Sequence, residues 1–461
     1  MQSKLFVKHV LISVCLLSLS LSAWCLPEQA GVVSTTATPL SLPTESLSTA
    51  MPSPSVPPLP IGMIEVAFVN DGNVQVWDEA TQQTRTIVNT GDVLSVTTSN
   101  DGQMIAFTRG SWVGDVLDGY EQFALWAMNR DGGNPRELIS AQDLRQRINP
   151  SERESSNFYQ LSWVPQSHQL IFSGTKYIVQ GEGLSHAIPH GAYLVDTDKG
   201  SVTVLAEAAE NLRFLPSPYG KQIALMSPSD VGFINADGSN RCQDVLTYAE
   251  VGLAGPLFPM GVWTQDSRAF VMTGSFEIDP RLNVNFTIWR IPVDASSPEA
   301  LATVTGSDPN SVTFSPDGKS ISFLQTTDQQ PPEIAGWFIT PLIPEAGPLA
   351  LPYYGKETFF ANLHWSPDGD AFAIKDQDLL LLCPNATQDS QVCGEPIHLG
   401  SGIITALQWV DTSRFLFEGI EPNTLSLGNL DGTITPIVTW IESQRWTEND
   451  IISGWSFYIP R

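Results

Sequence analysis

The chain has 461 residues, 42 % hydrophobic and 16 % charged, and 49 acidic residues against 23 basic ones give a formal net charge of −26. Such an excess of acid excludes general nucleic-acid binding, which needs clustered Lys and Arg to displace counterions from phosphates. Five cysteines are too few for a disulfide scaffold, and the length allows either two or three ordinary domains or one large repeat-built one.

Lys4 and Lys8 precede an apolar stretch, Val10 to Ser22, and the small Ala23 follows. The run is shorter than the ~20 residues of a membrane span, so residues 1–23 read as a secretory signal peptide. An uncleaved anchor from Phe6 to Leu26 is the alternative. Cys25 is a candidate lipidation site: Ser22 and Ala23 resemble the small residues before a lipidated cysteine in bacterial lipoprotein signals, whereas Trp24 departs from that pattern. Pro27 to Gly62 holds 8 Pro, 6 Ser and 5 Thr, and no Lys or Arg occurs between Lys8 and Arg85. A segment of this composition cannot bury enough apolar surface to offset its ordering entropy. Residues 24–62 are therefore expected to form a disordered, Pro-stiffened tether. Together these features predict export, to the periplasm, the cell surface or the medium.

From residue 63 onward the sequence repeats. Ile64 to Val69, Val74 to Trp77 and Thr84 to Val88 read as three strands with no strand before them. The first turn signal is Ser99-Asn100-Asp101-Gly102, ahead of Met104 to Phe107. Trp163-Val164-Pro165-Gln166, Ser217-Pro218-Tyr219-Gly220 and Trp263-Thr264-Gln265-Asp266 follow, each ahead of an apolar strand. Ser315-Pro316-Asp317-Gly318 and Ser366-Pro367-Asp368-Gly369 are the fullest copies, and Trp409-Val410-Asp411-Thr412 is the last. Proline presets φ early in such a turn, and glycine accepts positive φ where other residues are strained. A second signal ends a later strand in Asp-Gly, as at Asp131-Gly132, Asp237-Gly238 and Asp431-Gly432. Each unit thus carries four strands and two tight turns, and no helix-period segment of useful length interrupts them. The segment Ile451 to Pro460 has no unit of its own.

Repeated four-stranded units of roughly 40–50 residues are the mark of a β-propeller. The Ser-Pro-Asp-Gly and Asp-Gly pair resembles the WD40-like repeats of the TolB-like propeller family, over nearly all of residues 63–461. The expected fold is all-β, a single propeller domain over 63–461 with eight four-stranded blades. Its ring closes when the C-terminal strand joins the three N-terminal ones. Seven blades with a fragment packed outside is the alternative.

Little catalytic chemistry is visible. A propeller-gated serine peptidase would need a G-x-S-x-G elbow and about 200 further residues of βα pattern, and the sequence has neither. His186 and His190 lie in a loop, so helical metal-ligand geometry is not implied; the resemblance keeps a metal-dependent lyase in view. Asp196-Thr197-Asp198-Lys199-Gly200 reads as a hairpin turn rather than a calcium loop. No cofactor or metal is called for. Cys383 and Cys393 flank a polar loop and are expected to pair in an oxidising compartment, which leaves Cys242 single. Trp163, Trp263, Trp365 and Trp409 share one repeat position with Phe314 and are expected to pack between blades.

The first-to-second and third-to-fourth connections of each blade are short and share one face of the disc. The others are long and share the opposite face: 110–122, 175–190, 274–284 and 325–333 in one class, 141–158, 249–260, 352–361 and 440–449 in the other. Binding usually resides in long loops on a rigid scaffold. The candidate contacts are Trp112, Asp115, Asp118, Tyr120, Tyr177, Glu182, His186, His190, Glu277, Asp279, Arg281, Tyr353, Tyr354 and Trp446. The predicted function is a non-catalytic, monomeric binding module for a neutral or cationic protein, peptide or glycan. A polysaccharide lyase or glycoside hydrolase, and a structural spacer, are the alternatives.

Overall fold

The computed structural model describes residues 62–113, 120–151, 154–178, 188–250, 258–278, 284–294, 296–307, 311–326, 334–342, 349–350, 362–376, 379–384, 397–399, 404–420, 423–440 and 454–458. All of them belong to one compact unit spanning Ala50–Arg461. The expected signal peptide, Cys25 and the tether up to residue 61 lie outside the described residues.

The described residues form thirty-two strands and one helix. Blade 1 holds β1 (Glu65–Asn70), β2 (Asn73–Asp78) and β3 (Gln83–Val88). Blade 2 is β4 (Val93–Thr98), β5 (Met104–Val113), β6 (Tyr120–Asn129) and β7 (Arg136–Ile139). Helix α1 (Ala141–Ile148) leads into blade 3, which is β8 (Glu154–Trp163), β9 (Gln169–Ile178), β10 (His190–Asp196) and β11 (Val202–Ala206). Blade 4 is β12 (Arg213–Pro216), β13 (Gln222–Met226), β14 (Asp230–Asn235) and β15 (Cys242–Thr247). Blade 5 is β16 (Gly261–Trp263), β17 (Ala269–Ile278), β18 (Val284–Pro292) and β19 (Glu299–Ser307). Blade 6 is β20 (Thr313–Phe314), β21 (Ser320–Thr326), β22 (Ile334–Pro341) and β23 (Leu349–Ala350). Blade 7 is β24 (Asn362–Trp365), β25 (Ala371–Asp376), β26 (Leu379–Pro384) and β27 (Ile397–His398). Blade 8 is β28 (Ile404–Trp409), β29 (Arg414–Ile420), β30 (Asn423–Asn429) and β31 (Ile434–Thr439), and β32 (Trp455–Tyr458) ends the chain's described part.

Within each blade the strands pair antiparallel in sequence order, and a single bridge, Ser307 to Gln325, links blades 5 and 6. Strand β32 pairs with β1, Tyr458 opposite Glu65 and Trp455 opposite Phe68, so the last strand supplies the missing first strand of blade 1. The ring has eight blades and closes by joining its two ends. The Val69 N–H extends this ladder by donating to the Gly454 carbonyl at 2.8 Å, and the closure is fastened sideways to blade 2, where Thr98 Oγ1 lies 2.8 Å from Ser456 Oγ.

The turn motif works because its serine, aspartate and glycine each make a bond and its proline presets φ. Ser315 Oγ donates to Asp317 Oδ1 at 2.7 Å, and the same oxygen accepts the Lys319 N–H at 3.1 Å. The Ser320 N–H returns to Ser315 Oγ at 2.9 Å, and Gly318 takes φ +68°. Ser366 with Asp368, Ser99 with Asp101 and Thr264 with Asp266 repeat the arrangement. The tight turn is thus held by side chains as well as by backbone.

The core lies between blades. Trp163, Trp263, Trp365 and Trp409 are all buried, and Phe314 is partly buried in the contact between blades 5 and 6. Trp263 Nε1 donates to the Leu215 carbonyl at 2.8 Å and Trp409 Nε1 to the His364 carbonyl at 3.0 Å, each reaching the first strand of the preceding blade.

Two expectations need correction here. Helix α1 does interrupt the strands: Ser140 Oγ accepts the Asp143 N–H at 3.1 Å to cap it, Asn149 ends it at φ 50°, and Leu144 and Ile148 are buried. An eight-residue helix with two apolar anchors is too short for a helical period to stand out. Cys242 is not single but disulfide-bonded. Cys383 is also disulfide-bonded, while Cys393 lies outside the described residues.

Candidate functional site

The two faces of the ring differ in what their side chains do. On the short-turn face, Asp78, Asp101, Asp131, Asp196, Asp237, Asp266, Asp294, Asp317, Asp368, Asp411 and Asp431 each accept a backbone N–H inside a turn. At Asp317 burial opposes ionisation, but the Ser315 hydroxyl and the Lys319 N–H outweigh it and hold the carboxyl below its usual range. At Asp237 the Ser239 hydroxyl and N–H do the same. Eleven of the 49 acidic residues therefore serve turn geometry.

Ion pairs also join turns on this face, several of them between blades. His168 lies between two carboxylates, with Nε2 3.0 Å from Asp101 of blade 2 and Nδ1 3.1 Å from Asp198 of its own blade. Buried Arg414 donates to Asp411 at 2.7 Å, to both oxygens of Glu79 at 2.8 and 2.7 Å, and to the Gly62 carbonyl at 2.6 Å. Buried Glu65 is hydrogen-bonded to Arg130 and to the Tyr458 hydroxyl, and Arg130 lies over the Tyr458 ring.

The long-loop face is built differently. Several segments expected as loops are strand. Strands β5 and β6 pair out to Val113 opposite Tyr120, with Trp112 opposite Glu121. Strands β8 and β9 pair out to Glu154 opposite Ile178, with Tyr177 opposite Ser155. Strands β17 and β18 pair out to Ile278 opposite Val284, with Glu277 opposite Asn285. Trp112, Tyr120, Tyr177, His190 and Glu277 are thus strand residues at the rim, not loop residues. Polar sequences such as Ser155-Ser156-Asn157 continue as strand because antiparallel pairing satisfies their backbone. Asp115, Asp118, Glu182, His186, Asp279, Arg281, Tyr353, Tyr354 and Trp446 lie outside the described residues.

Helix α1 braces this rim between blades 2 and 3. Leu144 and Ile148 pack with Phe123 and Phe158, and Arg145 donates to the Glu154 and Ser151 carbonyls at 2.8 and 3.0 Å. His190 Nδ1 is 3.1 Å from the Ala208 carbonyl, which can only accept, so Nδ1 carries the proton and Nε2 the lone pair. Burial lowers the His190 pKa, nearby Lys176 adds to that, and the imidazole is neutral at pH 7. Among the described residues no group of three or more His, Cys, Asp and Glu is arranged to hold a metal ion.

Four residues at the inner end of this face, Arg213, Tyr159, Met260 and Phe258, escaped the sequence reading. Arg213 opens the first strand of blade 4. Its Nη2 donates to Tyr159 Oη of blade 3 at 3.2 Å, its Nη1 points to Met260 Sδ at 3.6 Å, and its guanidinium lies 5.2 Å from the ring centre of Phe258, just before blade 5. A β-bulge between Phe158 and Gln160 makes this contact. Phe158 packs toward blade 2, while Tyr159 and Gln160 both reach blade 4, Gln160 through the Phe214 carbonyl at 2.8 Å. Nothing in the repeat pattern marks these partners, which lie 54 and 47 residues apart.

The fold is a β-propeller, and many of the described side chains on its short-turn side are engaged in turns and ion pairs. No protein-family model and no curated protein matches the chain. Among solved structures, it is similar to a eukaryotic initiation factor (TM-score 0.47, 11 % identity, covering 82 % of this chain and 97 % of that one). It is also similar to the β-propeller domain of the Trilobed protease from Pyrococcus furiosus, described as having an open velcro topology (TM-score 0.41, 12 % identity, 78 % and 97 %). A third is an oligogalacturonate lyase in complex with manganese (TM-score 0.41, 13 % identity, 70 % and 81 %). At these scores the likenesses carry no argument about ligand or chemistry.

Proposed function

We propose that the chain is an exported, non-catalytic β-propeller that binds a protein, peptide or glycan through its long-loop face. The observation that carries this reading is the asymmetry between the faces. Many short-turn side chains, the turn aspartates above all, are bonded to their own turns or to the next blade, whereas blades 2, 3 and 5 send paired strands out to the opposite rim. Rigid strands carrying exposed side chains suit recognition better than free loops, because less entropy is lost on binding.

Export and tethering rest on the signal-like start and on the Ser/Thr/Pro-rich composition. The disulfides at Cys242 and Cys383 suit an oxidising compartment, and Cys393 is the proposed partner of Cys383. Mass spectrometry of the mature N-terminus separates cleavage after Ala23 from lipidation of Cys25.

A photo-crosslinking residue tests the binding face. Placed at Val113 (38 % exposed) on the rim, it is expected to capture the ligand; placed at Tyr219 (52 % exposed) in a short turn, it is expected to capture nothing specific. A ligand captured only through position 219 would overturn the reading.

One observation favours a catalytic alternative: neutral His190 offers its Nε2 lone pair, with Glu154 close enough to influence it electrostatically. That alternative requires turnover of a polysaccharide that His190→Gln abolishes.

A further inference from the structure

We propose that Arg213 forms a carboxylate-binding site at the inner end of the long-loop face, an inference that rests on the reading of that face as the binding face. A guanidinium has five N–H donors, and here one goes to Tyr159 Oη and one to Met260 Sδ. The remaining donors keep the fork geometry that matches a planar oxyanion. Arg109, Arg136, Arg147, Arg241 and Arg414 each face a carboxylate. Among the described residues no carboxylate pairs with Arg213.

The site is held from three blades. Phe258 lies against the guanidinium, and such a cation–π contact fixes its plane. Tyr159 accepts from Arg213, which leaves the phenolic proton free to donate to a bound oxygen. One fixed cation and one hydroxyl donor match a singly charged group. A doubly charged phosphate would call for a second cation. The carboxylate could belong to an acidic peptide or to an acidic sugar, and the recognition chemistry is the same for both.

The test is calorimetric titration of the full chain with two probes, triglutamate and a uronic-acid trisaccharide, each beside its neutral amide or ester. The wild type is expected to bind at least one charged probe about tenfold tighter than its neutral form, and added salt is expected to narrow that gap. Arg213→Gln is expected to abolish the discrimination with the thermal unfolding midpoint little changed. Arg213→Lys keeps the charge without the fork and is expected to lose most of it, and Tyr159→Phe is expected to weaken binding a few-fold. Equal affinity for charged and neutral probes, or discrimination that survives in folded Arg213→Gln and Arg213→Lys, would overturn the inference. If no probe binds while crosslinking through position 113 still captures a ligand, the carboxylate site falls and the binding-face reading stands. If both fail, both fall.

Discussion

His168 Nε2 in the first turn of blade 3 lies 3.0 Å from Oδ2 of Asp101 in the first turn of blade 2, so one imidazole clasps neighbouring blades. Burial alone would lower the His168 pKa, but Asp101 and Asp198 outweigh it and raise the value above the usual histidine range. A raised folded-state pKa stabilises fully below the unfolded value of about 6.5 and loses that contribution as pH rises through the folded value. His168→Gln should therefore destabilise most near pH 5–6 and least at alkaline pH. All three side chains are partly exposed, so the loss should be only about 0.5–1 kcal/mol. Urea unfolding of both proteins across pH 5–9 checks it, and a difference that grows with pH would contradict the clasp.

Arg414 is the most heavily engaged cation of the short-turn face, bonding Asp411, Glu79 and the Gly62 carbonyl at once. Arg414→Met leaves two largely buried carboxylates unpaired and should cost about 3–5 kcal/mol in urea unfolding. Adding Asp411→Asn and Glu79→Gln removes the stranded charges and should recover part of the loss.

The closure carries its own acid sensitivity. Burial opposes ionisation of Glu65, yet Arg130, Tyr458 and Arg85 together hold its pKa below the usual carboxylate range. Its contribution is present above the unfolded value of about 4.3 and is lost as pH falls through the lower folded value. Tyr458→Phe removes one of those bonds, should cost about 1 kcal/mol, and should shift the acid unfolding midpoint to higher pH. An unchanged midpoint would show that the Tyr458 hydroxyl does not secure the ring.

The turn aspartates can be tested through acceptor geometry. Asp317→Ala removes the oxygen shared by the Ser315 hydroxyl and the Lys319 N–H, and should cost about 1–2 kcal/mol. Asp317→Asn keeps a carbonyl oxygen there and should cost less than half as much. Equal losses in thermal unfolding would show that the charge rather than the acceptor matters.

The architecture was legible because each turn residue has a local bonding partner, so Ser-Pro-Asp-Gly repeats wherever the geometry repeats. The closing strand was legible by elimination: Ile64 to Val88 lacks a first strand, and Trp455 to Tyr458 lacks a blade. Contacts that are distant in sequence were not legible. Arg213 meets Tyr159 only because a one-residue bulge in β8 turns that side chain toward blade 4, and no spacing rule announces a bulge. The rim strands were hidden by polarity, since Ser155, Asn157 and Thr175 read as loop although their backbones pair as strand. The acidity was visible as a number, and the structure places eleven of its 49 acidic residues as acceptors in turns.

Ligand contacts are expected to gather on the rim where β5–β6 and β8–β9 extend. Amide hydrogen exchange on the full chain, with and without the captured ligand, tests this most directly. Added protection is expected near 109–113, 120–124, 154–158 and 174–178, with the turns at 99–103, 315–319 and 366–370 unchanged. Protection confined to those turns, with the rim unaffected, would contradict it.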